Sequence, residues 1–145
     1  MNTIVCNTMT GAVSEYAGFS FQSITPTHAG DTAGLFTLGG DTDNGQSIVS
    51  TIRLPRTLRL DTLKMFIDVV YVSILSTGEA RLTVHTPSAD FDYSFALRAS
   101  GQSRCAVGRG IRENYTGLSI STPTGQAFAL DRVEVLERKS QSRRV

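Results

Sequence analysis

The chain contains no tryptophan, two cysteines and two histidines among its 145 residues. Cys6 and Cys105 are too few for a disulfide framework, and neither stands at the spacing of a metal-binding motif. We therefore expect both to be small buried hydrophobic residues. His28 and His85 also lack a cysteine, histidine or carboxylate at a recognised ligand spacing. The sequence thus predicts no metal site and no cofactor.

Long apolar runs and an excess of charge are absent as well. The formal net charge is +1, and charged residues make up 19% of the chain. No stretch approaches the roughly 20 apolar residues that a membrane-spanning helix needs. The first residues lack the charged start and continuous apolar core of a signal peptide. We expect a chain without membrane association that is made and assembled in a cytosol.

Residues suited to catalysis are sparse and poorly placed. His85 alternates with Thr83, which is typical of a surface residue or a hydrogen-bonded cross-strand residue. Residues 41–45 resemble the start of a calcium loop, but the glycine is fifth rather than sixth and the twelfth position is Ile52. These residues are better explained by a tight turn, with Asn44-Gly45 at its tip. The sequence predicts no catalytic residue, and we expect a protein that is not an enzyme.

What the chain does contain is a series of short segments in which every second residue is apolar, separated by glycine, proline and serine breaks. Phe91, Tyr93 and Phe95 fall on one face of such a segment. Residues 63–75 are apolar on both faces in their second half, which predicts a central strand covered on both sides. Residues 63–107 are expected to form consecutive antiparallel hairpins. Strands are predicted over 35–38, 48–54, 63–75, 80–86, 91–98, 105–107, 115–122 and 127–137.

This spacing of strands predicts an all-β fold, with a single antiparallel β-sandwich or jelly-roll-like domain over residues 34–137. Residues 1–33 are rich in threonine, serine, glycine and alanine, and form an extended N-terminal arm with one or two strands. Pro26 and Gly30 lie in a stretch expected to break regular structure. Because the arm has too few large apolar groups for its own core, it must wrap the domain or reach a neighbour. Its candidate partner-binding residues are Tyr16, Phe19 and Phe21.

Residues 138–145 form a basic C-terminal tail that contains no acidic residue. Such a tail on an otherwise mildly acidic chain is typical of contact with nucleic acid or with an acidic subunit, although a solvated terminus is the alternative. Its candidate partner-binding residues are Arg138, Lys139, Arg143 and Arg144. A weaker candidate anion site is formed by Arg109, between two glycines, and by Arg112, although a flexible turn explains this stretch better.

Five segments resemble a family of small β-rich structural proteins of tailed bacteriophages. The likeness covers roughly the last 80 residues and contains no catalytic motif. Its residues are IDVVY at 67–71, YSF at 93–95, VGRGIRENY at 107–115, FALDRVEV at 128–135 and SRRV at 142–145.

The resemblance implies a non-enzymatic component of a virion that is assembled in the host bacterial cytoplasm. It favours an oligomeric accessory protein of the tail or of the head–tail collar. The implied partners are portal, tail or major capsid proteins and further copies of the chain, with possible DNA contact through the basic tail. One alternative is a capsid cement or decoration protein. Another is a receptor- or glycan-binding tail-tip module, which predicts an aromatic or carboxylate cluster in residues 40–46 or 108–115.

Overall fold

The computed structural model describes residues 2–17, 20–40, 42–43, 45–58, 64–108 and 110–140. Within these ranges every regular element is a β-strand, which confirms the predicted all-β class. The strands are numbered β1 to β15 in chain order. The chain divides into two compact units, Met1–Gly40 and Asp41–Val145. The first unit therefore extends beyond residue 33, where the sequence placed the end of the arm.

The first unit begins with a two-stranded antiparallel ribbon. It consists of β1 (Asn2–Cys6) and β2 (Val13–Ala17), with Ile4 opposite Glu15 and Cys6 opposite Val13. The connecting turn is closed by a hydrogen bond from the Asn7 amide to the Ala12 carbonyl oxygen, 2.8 Å long. Ribbons of two strands are marginally stable in water by themselves.

A three-stranded antiparallel sheet completes the first unit, made of β3 (Ser23–Ile24), β4 (His28–Gly30) and β5 (Leu35–Thr37). The expected break over residues 25–30 is therefore wrong in its second half, since His28 begins a strand. The reason is local, because the Thr25 hydroxyl accepts a 3.0 Å hydrogen bond from the His28 amide and folds Pro26 into a tight turn. The described residues of 1–33 thus contain four strands instead of the expected one or two.

The second unit contains two larger sheets and a small hairpin. The first sheet has the strand order β11-β10-β14-β8, and β9 is the centre of the second sheet. β12 and β13 pair with one edge of β9, and β15 pairs with the same β9 residues from the other edge. The strands are β6 (Thr42–Asp43), β7 (Gln46–Ser47), β8 (Ser50–Leu58), β9 (Met65–Leu75), β10 (Glu79–His85), β11 (Asp90–Ala96), β12 (Gln102–Ala106), β13 (Arg112–Glu113), β14 (Tyr115–Thr122) and β15 (Ala129–Lys139).

The two large sheets pack against each other as a β-sandwich, which is the predicted fold. Alternate residues of each strand point into the core. The second sheet and its loops contribute Ile67, Val70, Val72, Ile74, Cys105, Val107 and Ile111, and the first sheet contributes Ala80, Leu82, Val84, Phe95, Leu118 and Ile120. Cys105 is buried as expected, whereas the expectation that Cys6 is buried is wrong, because the ribbon leaves it exposed.

The predicted central strand is confirmed, since β9 is paired along both edges. The expected run of consecutive hairpins is only partly right. β10 and β11 do form a hairpin, but the chain passes from the second sheet to the first between β9 and β10, and returns between β11 and β12. Each of these strands has an apolar face, and a sandwich buries such faces by placing successive strands in opposite sheets.

Candidate functional site

Two residues that the sequence singled out separately lie on either side of one phenylalanine. Arg112 on β13 and Arg138 on β15 are both directly opposite Phe66 on the central strand β9. The Arg112 guanidinium lies over the Phe66 ring, 4.8 Å from its centroid, within the range of a cation–π contact. We call these three residues the Phe66 row. The central position of β9 is what places them side by side.

Arg138 is held in the row by a carboxylate. Its Nε and Nη2 atoms both donate to Asp68, the latter at 2.7 Å, which makes a two-point contact. The hydrogen bonds and the charge of Asp68 raise the pKa of Arg138 above its ordinary value. Arg138 is therefore charged at every physiological pH and has a fixed orientation, although it is exposed to solvent.

The surroundings of the row are mildly cationic. Lys64 lies 3.8 Å from Glu113, and Lys139 is opposite Met65 at the end of β15. Arginine side chains fixed in this way can bind carboxylate or phosphate oxygens through their planar donor groups. The row therefore suits an acidic partner surface, although each exposed ion pair contributes little by itself.

The other predicted residues are spread over the chain. Arg138 and Lys139, expected to begin a tail, belong to β15. Tyr16 is in β2, where its backbone pairs with Thr3. Phe21 packs against Phe36 within the first unit, with ring centroids 5.5 Å apart. The remaining predictions fall outside the described residues: Phe19, Arg109, Arg143 and Arg144.

A second polar group, which the sequence did not predict, lies on the outer face of the first sheet. The His85 Nε2 atom is 2.6 Å from the Ser119 Oγ atom, and the Nδ1 atom is 2.9 Å from an Asp90 carboxylate oxygen. The second contact does not have the angle of a hydrogen bond. Whether the Nε2 atom or the Ser119 hydroxyl donates depends on the histidine tautomer. His85 is therefore a buried cross-strand residue that makes one side-chain hydrogen bond and has a carboxylate beside its second nitrogen.

Arg56 covers this group from the edge strand β8. Gly117 on β14 has no side chain, so the stem of Arg56 lies against its backbone, and a β-carbon there would be 2.8 Å from the Arg56 Cγ atom. The guanidinium reaches Asp90 on the far side of β10, at 3.6 Å. We call Ser119, His85, Asp90 and Arg56 the Ser119 cluster. It links four neighbouring strands of the sheet through side chains.

The order of serine, histidine and aspartate matches a nucleophile with its base, but the surroundings differ from those of acyl transfer. Ser119 is 6% exposed, too little for attack on a substrate carbonyl. β14 is paired along both edges, so the backbone amides beside Ser119 are engaged in the sheet and are not available to stabilise an oxyanion. The arrangement functions as a cross-strand connection.

Sequence reasoning missed this cluster because its members are distant in the chain. His85 and Ser119 are diagonal neighbours only in the register that places Thr83 opposite Ser119. The available signal was the alternation of Thr83 with His85 and of Ser119 with Ser121, which puts polar side chains on one face of each strand.

In the part of the chain that the structure describes, no group of three histidine, cysteine, aspartate or glutamate side chains could hold a metal ion. The same residues contain no helix with the length and apolar character needed to cross a membrane. Comparison of the chain with protein-family models, with curated proteins and with solved structures finds no match.

Proposed function

We propose that this chain is a non-enzymatic structural component of a tailed-phage virion, an oligomeric accessory protein of the tail or of the head–tail collar. The proposal combines the sequence resemblance described above with one structural observation. The first unit leaves several large apolar side chains exposed.

The exposure is greatest in the β1–β2 ribbon. Ile4 is 74% exposed, Val13 is 67% exposed, and Met9 in the connecting turn is 95% exposed. Ile4, Cys6 and Val13 share one face, because Cys6 is opposite Val13 and is two residues from Ile4. A ribbon of this kind gains stability when its apolar face is covered by another surface. An arm laid on a neighbouring subunit supplies such a cover.

The Phe66 row supports the same role from the second unit. It presents fixed guanidinium groups, and it lies where β15 leads into the sequence that carries Arg143 and Arg144. An acidic surface of a portal, tail or capsid protein is the partner that these charges fit.

The test is incorporation into particles. The chain is replaced in a phage that encodes it, and purified virions are analysed by quantitative mass spectrometry. We expect the wild-type chain in the particles, and the variant I4D/V13D to be reduced at least tenfold while it remains folded and abundant in the lysate. The matched control is Ser14→Asp, an exposed position on the opposite face of the ribbon, which should incorporate normally.

Absence of the wild-type chain from the virions would refute the proposal. Normal incorporation of I4D/V13D would refute the role of the ribbon. The position of the chain in particles separates the alternatives, since a cement protein binds only to capsids, whereas a tail or collar protein is retained in isolated tails or on the portal.

A further inference from the structure

One edge of the sandwich is long and is protected by charged side chains and by a bulge at Asp131, but not by proline. β15 spans 11 residues, and among the strands described here it pairs only with β9. It contains neither proline nor glycine. Edge strands of this kind offer backbone donors and acceptors to another strand.

The other edges differ from β15. β8 contains Pro55 and has an irregular register opposite Gly117, two features that discourage pairing. β11 lies against β12, to which it is joined by a short connection. β15 is therefore the edge of the sandwich best suited to strand addition.

The outward residues of β15 follow from its packing. Val133 and Val135 pack against the core, so Glu134, Leu136 and Arg138 point outward. Leu136 is 53% exposed although it is a large apolar residue in a regular strand. Relative to β9, the only bulge residue on β15 is Asp131, so β15 contains no bulge from Arg132 onward.

We propose that β15 pairs antiparallel with β15 of a second copy of the chain, around a two-fold axis at Leu136. In this register Leu136 faces its own copy, and Glu134 faces Arg138 of the other chain. The two-fold axis repeats this pair of opposite charges, so the contact is complementary twice. The second sheet of one chain and the second sheet of its copy then join into one continuous sheet across the dimer.

Neighbouring registers are less favourable because they place like charges opposite each other or shorten the paired segment. An axis at Glu134 places that carboxylate against its own copy, and an axis at Val135 places Arg132 against Arg138. Like charges directly opposite each other destabilise a strand pair. An axis at Val133 would pair Arg132 with Glu134, but the bulge at Asp131 would limit it to about three residues.

The proposed function includes self-association, and the inference rests on the proposed function only because it names β15 as the surface through which copies associate. The two can fail separately. A purified chain that dimerises through β15 but is absent from virions would refute the virion role alone, whereas a virion protein that is monomeric in solution would refute the dimer alone.

The first experiment is a charge exchange followed by sedimentation equilibrium of the full-length chain. We expect wild type to be a dimer at about 100 μM, and Glu134→Arg to weaken dimerisation at least tenfold. The double variant E134R/R138E recreates both opposite-charge pairs between the chains but loses the contacts of Glu134 to Arg132 and of Arg138 to Asp68 within each chain. It should dimerise at least threefold more tightly than Glu134→Arg without reaching wild type. Arg104→Glu, a charge reversal at an exposed position of β12 on the other side of β9, is the control and should stay within about threefold of wild type because it lies away from the β15 edge.

A monomeric wild type at that concentration would overturn the proposal, as would folded E134R that still dimerises normally. Folded E134R/R138E that dimerises no more tightly than E134R would overturn it too. Far-UV circular dichroism establishes that each variant is folded.

The second experiment does not depend on the charged residues. Leu136→Cys in a Cys6→Ala background places one thiol beside its own copy at the two-fold axis. Mild oxidation should give a cross-linked dimer on a non-reducing gel. Leu75→Cys, another highly exposed leucine position, is the control and should stay monomeric on the gel. Equal cross-linking of the two variants, or none at position 136, would overturn the proposed register.

Discussion

Replacing Gly117 by alanine tests the close packing beneath Arg56. The added β-carbon would be 2.8 Å from Arg56 Cγ, 3.2 Å from its backbone nitrogen and 3.3 Å from its Cα. The side-chain atom can rotate away, but the two backbone atoms belong to a strand that is hydrogen-bonded to β14. The substitution must therefore push β8 outward or release Arg56 from the Ser119 cluster.

The size of the effect follows from two opposing contributions. Overpacking at a tight site costs about 1–3 kcal/mol. The lower chain entropy of unfolded alanine relative to glycine offsets about 0.4–1 kcal/mol of this. We expect a net loss of about 1–2 kcal/mol in the free energy of unfolding. For a chain of this size the melting temperature should fall by roughly 5 °C.

The assay is urea unfolding followed by far-UV circular dichroism, because the chain has no tryptophan. Gly110→Ala is the matched control, since a β-carbon there would meet no atom within 4 Å. Arg56→Ala in the Gly117→Ala background should recover only part of the loss, because the contacts to the Arg56 backbone remain. Equal stability of Gly117→Ala and Gly110→Ala would refute the reasoning.

Four further experiments test other parts of the chain. Ser119→Ala should lower the free energy of unfolding by about 1–2 kcal/mol in urea titrations, because it leaves the buried His85 Nε2 atom without its partner. Leu82→Ala, at a fully buried position, should cost about 2–5 kcal/mol in the same assay. Thiol labelling of the native chain should modify Cys6 but not Cys105, and denaturation should expose both. Burial raises the pKa of Cys105 from 9.0 to about 11, so between these pH values the thiol ionises more in the unfolded state than in the folded state. Rising pH therefore favours unfolding in this range. The urea midpoint should fall as the pH rises above 9, and it should fall less in Cys105→Ala.

The strands of the second unit were largely predictable from local alternation. Residues 115–122 were predicted as a strand with the bounds that β14 has, and the apolar faces of 63–75 indicated the central position of β9. In both cases the pattern depends only on which side chains face a core, and this can be read from neighbouring residues. The all-β class follows from the same signal.

Features that depend on register could not be predicted. Phe66 lies between Arg112 and Arg138 because two strands that are distant in the chain pair with opposite edges of β9. The alternation along a single strand does not specify which residue of another strand lies opposite it. The same reason explains why the crossings between sheets were mistaken for hairpins, since a turn sequence does not say which sheet the chain enters next.

The pairing of β9 also has a consequence for synthesis on the ribosome. β9 cannot complete its sheet until β15, which is encoded far downstream, has left the exit tunnel, and β8 likewise waits for β14. A large share of such distant pairings slows folding. During this interval the apolar faces of β9 are uncovered and open to aggregation. Production of the chain should therefore depend on chaperones and on translation speed more than the small size of the protein would indicate.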